Sequence, residues 1–329
     1  SPPDAAAALV ALEKAQPIFS QNAGVHINYA IANLLEGNAE TAESTLEELT
    51  TSDESNERAW YWLGVTRSDN GKLEEGLEAF TRAVDINSEY KDAWFAKGDV
   101  EGYLGKQEES EQSFDKVISL NADYAEPFRS SEMNDADVYY RKGVIAFDKE
   151  NDTDAMTNFE KSLELNPENH NALYYKGLIL FTQEDYEGSL QALTEAVRLK
   201  EDFANAWYWK GRANLKLLNI GEAVPDLQNA TTYNSNLTDA WYYLGVVLSD
   251  SGSYEDGVFA FDKVTDASPE NAEAWYFKGI DQIQLEKTED GMDSLEQALQ
   301  LNSTTFTPDL QANAWYLIGI NQAGDGNND

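Results

Sequence analysis

One short stretch recurs along this chain at a fixed step. Ala206-Trp207-Tyr208-Trp209-Lys210-Gly211 returns as Ala240-Trp241-Tyr242-Tyr243-Leu244-Gly245 and again as Ala274-Trp275-Tyr276-Phe277-Lys278-Gly279, 34 residues apart each time. The same step backward reaches Leu173-Tyr174-Tyr175-Lys176-Gly177. Self-similarity at this length marks an array of small units, each packed on its neighbours rather than around one central core. The usual expectation of two or three globular domains for 329 residues therefore does not apply. An array implies a long surface and leaves open what it binds.

Each unit reads as helix, turn, helix. Trp241, Leu244, Gly245 and Leu248 fall at helical spacing and form an amphipathic stripe. Ser251-Gly252-Ser253 is the turn, and Gly257, Phe261 and Val264 carry the second helix until Pro269 stops it. Glycine at the eighth position of a unit, as at Gly64, Gly143 and Gly245, costs a helix about 1 kcal/mol relative to alanine. The expected compensation is steric: the two helices of a unit cross closely there, with the large residue four positions earlier covering the gap. The predicted layout is a capping helix in residues 1–22, units one to three in 23–124, an insertion at 125–135, units four to eight in 136–305, a second capping helix in 306–323 and a disordered tail at 324–329. Thr307 followed by Pro308 reads as an N-cap and a first-turn proline. Pro225 either kinks the second helix of unit six or forces it to start there.

This pattern resembles the tetratricopeptide repeat (TPR), whose signature has Trp at position 4, Gly at 8, a small residue at 20, an aromatic at 24, Ala at 27 and Pro at 32. Unit two supplies Trp60, Gly64, Gly76, Phe80 and Ala83; unit seven supplies Trp241, Gly245, Gly257, Phe261 and Pro269. Leu193, Leu227 and Leu295 depart from the aromatic at 24. The resemblance implies an all-α fold, a right-handed α-solenoid of helix-turn-helix repeats, in which first helices line a concave groove. It also implies that groove residues come mainly from positions 2, 5, 6, 9, 12 and 13.

The groove candidates follow from those positions. Position 5 offers Tyr140, Tyr174, Tyr208, Tyr242 and Tyr276, where tyrosine can equally serve packing between repeats. Position 6 offers Trp62, Tyr175, Trp209, Tyr243 and Phe277, an aromatic ladder able to clamp an extended peptide, and the cation Arg141. Arg212 and Lys216, four apart on one helix beside Trp209, can bind a carboxylate or pair with an acid of a neighbouring repeat. TPR domains that hold chaperone tails use Lys and Asn at groove positions. That set is absent, because position 5 is never Lys and position 6 is Asn only at Asn28.

Charge and missing chemistry narrow the function further. Sixty acidic residues against 23 basic ones give a net charge of −37, which repels nucleic acid and anionic lipid and favours a basic partner, solubility in salt, or both. There is no cysteine, and His26 and His170 stand far apart, so no thiol nucleophile, histidine triad or His-based metal site is expected. No cofactor is expected. No apolar run reaches the ~18–20 residues that span a bilayer, and no signal peptide is visible. The compartment is open, a cytoplasmic one being favoured and export remaining compatible. The reading is a non-enzymatic scaffold that binds a peptide or partner protein, basic or apolar, in its groove. The alternatives are the substrate-recruiting arm of a larger enzyme, such as a glycosyltransferase, and a self-associating scaffold.

Overall fold

The computed structural model describes residues 5–121, 135–301 and 303–325, and all regular structure in them is helical. The chain divides into two compact units, Ser1–Pro167 and Glu168–Asp329. The first holds α1 (Ala5–Ala15), α2 (Ala23–Leu35), α3 (Ala39–Ser52), α4 (Glu57–Asp69), α5 (Leu73–Ile86), α6 (Lys91–Tyr103), α7 (Gln107–Asn121), α8 (Asp135–Asp148) and α9 (Asp152–Leu165). The second holds α10 (His170–Thr182), α11 (Tyr186–Leu199), α12 (Ala204–Lys216), α13 (Ile220–Tyr233), α14 (Thr238–Asp250), α15 (Tyr254–Ala267), α16 (Ala272–Gln284), α17 (Thr288–Gln300) and α18 (Pro308–Asp325). Within each unit, every first helix packs most heavily on the second helix of its own repeat, and that second helix packs on the next first helix. This is an α-solenoid of helix pairs.

The glycine at the eighth position is explained by the second helix. A Cβ at Gly64 would lie 2.6 Å from the Phe80 ring, one at Gly143 2.6 Å from Phe159, and one at Gly177 2.6 Å from Leu193. These position-24 side chains are fully buried. The gap is therefore filled by the opposing helix, correcting the expectation that the residue four positions earlier covers it. Leucine does the same work as phenylalanine, which is why the departures at Leu193, Leu227 and Leu295 leave the core closed.

The tryptophan at position 4 does something else. The indole Nε1–H of Trp60, Trp94, Trp207, Trp241 and Trp275 donates to the backbone carbonyl six residues earlier: Glu54 at 3.0 Å, Ser88 at 3.0 Å, Glu201 at 2.7 Å, Ser235 at 2.9 Å and Pro269 at 2.9 Å. Each acceptor lies in the turn that follows the preceding second helix, so each indole staples one repeat to the next. These rings are half-buried rather than core.

Between the two helices of a repeat the chain turns through one left-handed residue, always the fifteenth. Glycine takes this place at Gly37, Gly71, Gly105 and Gly252, with φ between 73° and 82°. Glu150, Glu184, Leu218 and Glu286 take it in the other repeats, with φ between 58° and 64°, a conformation that costs an L-residue roughly 1–2 kcal/mol.

Side-chain caps open several first helices. The side chains of Asn56, Asn169 and Asn271 accept the backbone N–H of Ala59, Ala172 and Ala274 at 3.0–3.1 Å. Thr307 Oγ1 accepts the Leu310 N–H at 3.5 Å and Pro308 is the first residue of α18, in agreement with the expected cap. Pro225 lies inside α13, which begins at Ile220, so the helix does not start at the proline. The anticipated insertion at 125–135 lies outside the described residues except for Asp135, the first residue of α8. Gly324 and Asp325, expected in the tail, belong to α18, and residues 326–329 lie outside the description.

Candidate functional site

First helices of successive repeats lie side by side within each unit, and their fifth and sixth residues alternate in role. The fifth residue reaches toward the next repeat. Tyr242 Oη donates to Glu273 Oε2 at 2.8 Å, and Asn313 Nδ2 donates to Tyr276 Oη at 2.6 Å. Tyr208 and Tyr276 are only 6% and 3% exposed. Burial pushes the hydroxyls of Tyr174 and Tyr208 up to about 12 and raises that of Tyr242 further, so all three stay protonated donors at neutral pH. For Tyr208 and Tyr276 nearly all the surface is spent between repeats, the packing role that the sequence leaves open for this row. Tyr174 and Tyr242 are half-buried in similar surroundings, Tyr174 against Phe203 with ring centroids 4.9 Å apart.

The sixth residue keeps more of its surface than Tyr208 and Tyr276 do. In Glu168–Asp329 this row runs Tyr175, Trp209, Tyr243, Phe277, all half-buried. Rings link it from repeat to repeat. Phe181 meets Trp209 edge-on at 5.0 Å, Tyr208 meets Tyr243 at 6.0 Å, and Tyr242 meets Phe277 at 6.3 Å.

Arg212 sits in the middle of this row. Its guanidinium carbon lies 4.5 Å from the centroid of Trp209, 4.8 Å from Tyr243, 5.0 Å from Phe181 and 5.6 Å from Tyr208. Three helices, α10, α12 and α14, contribute to that cage. Nη1 donates a long hydrogen bond, 3.4 Å, to Tyr208 Oη. Lys216 is exposed one turn further along α12. Phe181 was not among the sequence candidates. Its signal was an aromatic at position 12, three positions past the arginine's place in the repeat and one repeat earlier.

The candidates in Ser1–Pro167 are arranged differently. Arg141 grips Asp99 in bidentate fashion, Nε to Oδ1 at 2.9 Å and Nη2 to Oδ2 at 3.1 Å, and lies 5.8 Å from the Tyr140 ring. Burial pushes the Asp99 carboxyl up, and Arg141 offsets only part of that rise. Arg141 is thus paired with an acid of the neighbouring repeat in this structure. Trp62 is half-buried against Tyr61, centroids 5.4 Å apart, at the edge of the first core cluster.

The comparisons with known proteins bear on this architecture. Sequence models of the tetratricopeptide repeat match residues 36–90, 91–124 and 208–272, and a model described as anaphase-promoting complex, cyclosome, subunit 3 matches residues 148–230. The chain belongs to the tetratricopeptide repeat family. No curated protein matches this TPR chain in sequence. Among solved structures it is similar to the anaphase-promoting complex hetero-tetramer Cut9–Hcn1, with a TM-score of 0.58 at 15% identity over 83% of this chain and 52% of that one. The TPR chain thus spans about half the length of that relative. It is also similar to the C-terminal part of a TPR repeat-containing protein from Cytophaga hutchinsonii, with a TM-score of 0.57 at 14% identity, covering 75% of this chain and 97% of that one. A third is PilF of Pseudomonas aeruginosa, with a TM-score of 0.55 at 17% identity, covering 68% and 97%. At these identities the likeness is one of fold. Among the described residues no helix is long and apolar enough to cross a membrane.

Proposed function

We propose that this TPR protein is a non-enzymatic interaction scaffold that holds a peptide segment of a partner protein across the first-helix face of residues 168–329. The observation that carries this reading is the sixth-position row, Tyr175, Trp209, Tyr243 and Phe277. Unlike the buried Tyr208 and Tyr276, these rings keep exposed surface at successive repeat steps. Partly buried aromatic rings at regular spacing offer apolar slots of the kind that dominate binding energy in peptide grooves. The partner segment is apolar, with basic residues where it passes the exposed Asp239 and Asp250. The solved relatives, similar in fold, include a subunit of a multiprotein complex, which is consistent with an assembly role.

The test is a panel of random linear peptides selected on the intact protein. The selected peptides are then measured against the wild type and against the W209A/Y243A variant, with helical content followed by circular dichroism. Affinity falls about tenfold or more in the variant while helicity is retained. Unchanged affinity removes the groove assignment.

A further inference from the structure

In a chain with 60 acidic residues against 23 basic ones, a half-buried cation ordinarily meets a carboxylate. On α12 itself Lys210 does so, 2.5 Å from Asp226, and one repeat pair further on Lys278 lies 2.7 Å from Asp262. Arg212 does not. Among the described residues no Asp or Glu oxygen lies within 4.0 Å of its guanidinium, which is held by four aromatic rings instead. Aromatic rings attract a cation through their faces but leave its N–H edges unsatisfied. Of five N–H groups, one makes the long bond to Tyr208 Oη, and no other hydrogen bond runs from Arg212 to the described residues.

The repeat itself shows what is missing. Arg212 is the ninth residue of its repeat and Tyr243 the sixth of the next. In Ser1–Pro167 the same two addresses carry Asp99 and Arg141, and there the protein supplies both halves of a bidentate ion pair. In Glu168–Asp329 the arginine is present and the carboxylate is not.

We propose that Arg212 is a recognition point for a carboxylate brought by the partner. The rings fix the guanidinium plane before binding, so little freedom is lost when a planar carboxylate docks on its open edge. Trp209, Tyr243 and Phe181 wall the same spot with apolar surface. The group recognised is therefore a carboxylate on an apolar or aromatic stretch of peptide, either a C-terminus or an Asp or Glu side chain. The donor set is a single stacked arginine, without the Lys and Asn clamp that the sequence lacks. This inference rests on the groove reading above and narrows it: the partner carries at least one acid despite the acidic chain it meets.

The experiment uses the full chain with 15N-labelled arginine, observing side-chain Nε–H resonances by NMR. N-acetyl-phenylalanine, with a terminal carboxylate, is titrated in parallel with its neutral amide, and with N-acetyl-phenylalanyl-glutamate α-amide, whose carboxylate is on the side chain. The Arg212 resonance, identified by its absence in R212K and R212Q, shifts saturably with one or both acids and not with the neutral amide. Which acid acts identifies the source. Circular dichroism and the dispersion of the remaining arginine signals confirm that both variants are folded. Equal shifts with acid and amide, equal shifts across all arginines, or no Arg212 shift with either acid overturn the proposal. Because the probes report on Arg212 alone, loss of this result with W209A/Y243A still abolishing peptide binding leaves the groove reading intact. The reverse pattern sinks the groove and keeps the anion site.

Discussion

Asp281 on α16 is fully buried, and its surroundings are poor for a charge. Its Oδ2 lies 2.6 Å from Ser249 Oγ, while Oδ1 is buried without a hydrogen-bond partner. Ser249 is also 2.8 Å from the Gly245 carbonyl, so its one proton has two acceptors to serve. A protonated Asp281 resolves that conflict by donating to Ser249 while Ser249 donates to Gly245. Burial, with the nearby Asp250, pushes the carboxyl up to about 6 from an ordinary 3.8. A raised folded-state value means that Asp281 supports the fold fully below pH 3.8 and loses that contribution as pH climbs through about 6. The deficit above pH 6 is on the order of 3 kcal/mol. D281N keeps the hydrogen bond to Ser249 without the charge. Denaturant unfolding of D281N and wild type should therefore show the variant more stable at pH 8 and the difference shrinking toward pH 5. A constant difference across that range would mean that the carboxyl does not titrate there. Residue-scale features of this kind were mostly hidden in the sequence. Asp281, at position 10 of its repeat, falls outside the expected groove positions and carries no mark in the sequence that it is buried. Arg212 was legible as a cation beside Trp209, and Phe181 and Tyr243 stand at groove positions 12 and 6, but the closing of rings from three helices around one guanidinium was not. Tyr208 and Trp209 are adjacent and both aromatic, yet Tyr208 is buried and packs on Tyr243 of the next repeat, while Trp209 is half-buried and packs on Phe181 of the previous one.

At the scale of one helix, the repeat signature told most of what mattered. The turn glycines, the asparagine caps and the position-24 side chains all have sequence marks, and the helices fall where the 34-residue step places them. The indole staples left no mark on the acceptor side, since the partner is a backbone carbonyl that any residue can offer. The left-handed fifteenth residue was half-disguised, with Glu150, Glu184, Leu218 and Glu286 where glycine would have announced it. Helix α13 holds an unresolved local conflict. Pro225 has no N–H to give the carbonyl of Gly221, four residues earlier, and a proline inside a helix costs about 3 kcal/mol or more in general. Gly221 has open space where a Cβ would stand, and Pro225 is exposed, so no packing depends on the ring. P225A should therefore raise the thermal midpoint, with a gain of about 1–3 kcal/mol. A loss would reveal that the ring positions α13 against its neighbours.

For the whole chain, 60 carboxylates against 23 cations make self-repulsion the dominant long-range electrostatic effect. Added salt screens that repulsion over about 10 Å at 0.1 M and about 3 Å at 1 M. Buried pairs such as Lys210–Asp226, with side chains 14% and 5% exposed, are screened far less. The thermal midpoint should rise by several degrees between low salt and about 1 M sodium chloride. A flat or falling midpoint in differential scanning calorimetry would show that the surface ion pairs matter more than the excess of like charge. The indole staples carry a different consequence, for how such a chain can change over generations. A junction whose acceptor is a backbone carbonyl makes no demand on the side chain there, as Glu54, Ser88, Glu201, Ser235 and Pro269 illustrate. A repeat can then be copied, lost or exchanged as a block of 34 residues without redesigning the seam on either side. Lineages are free to lengthen the array and rewrite its face separately.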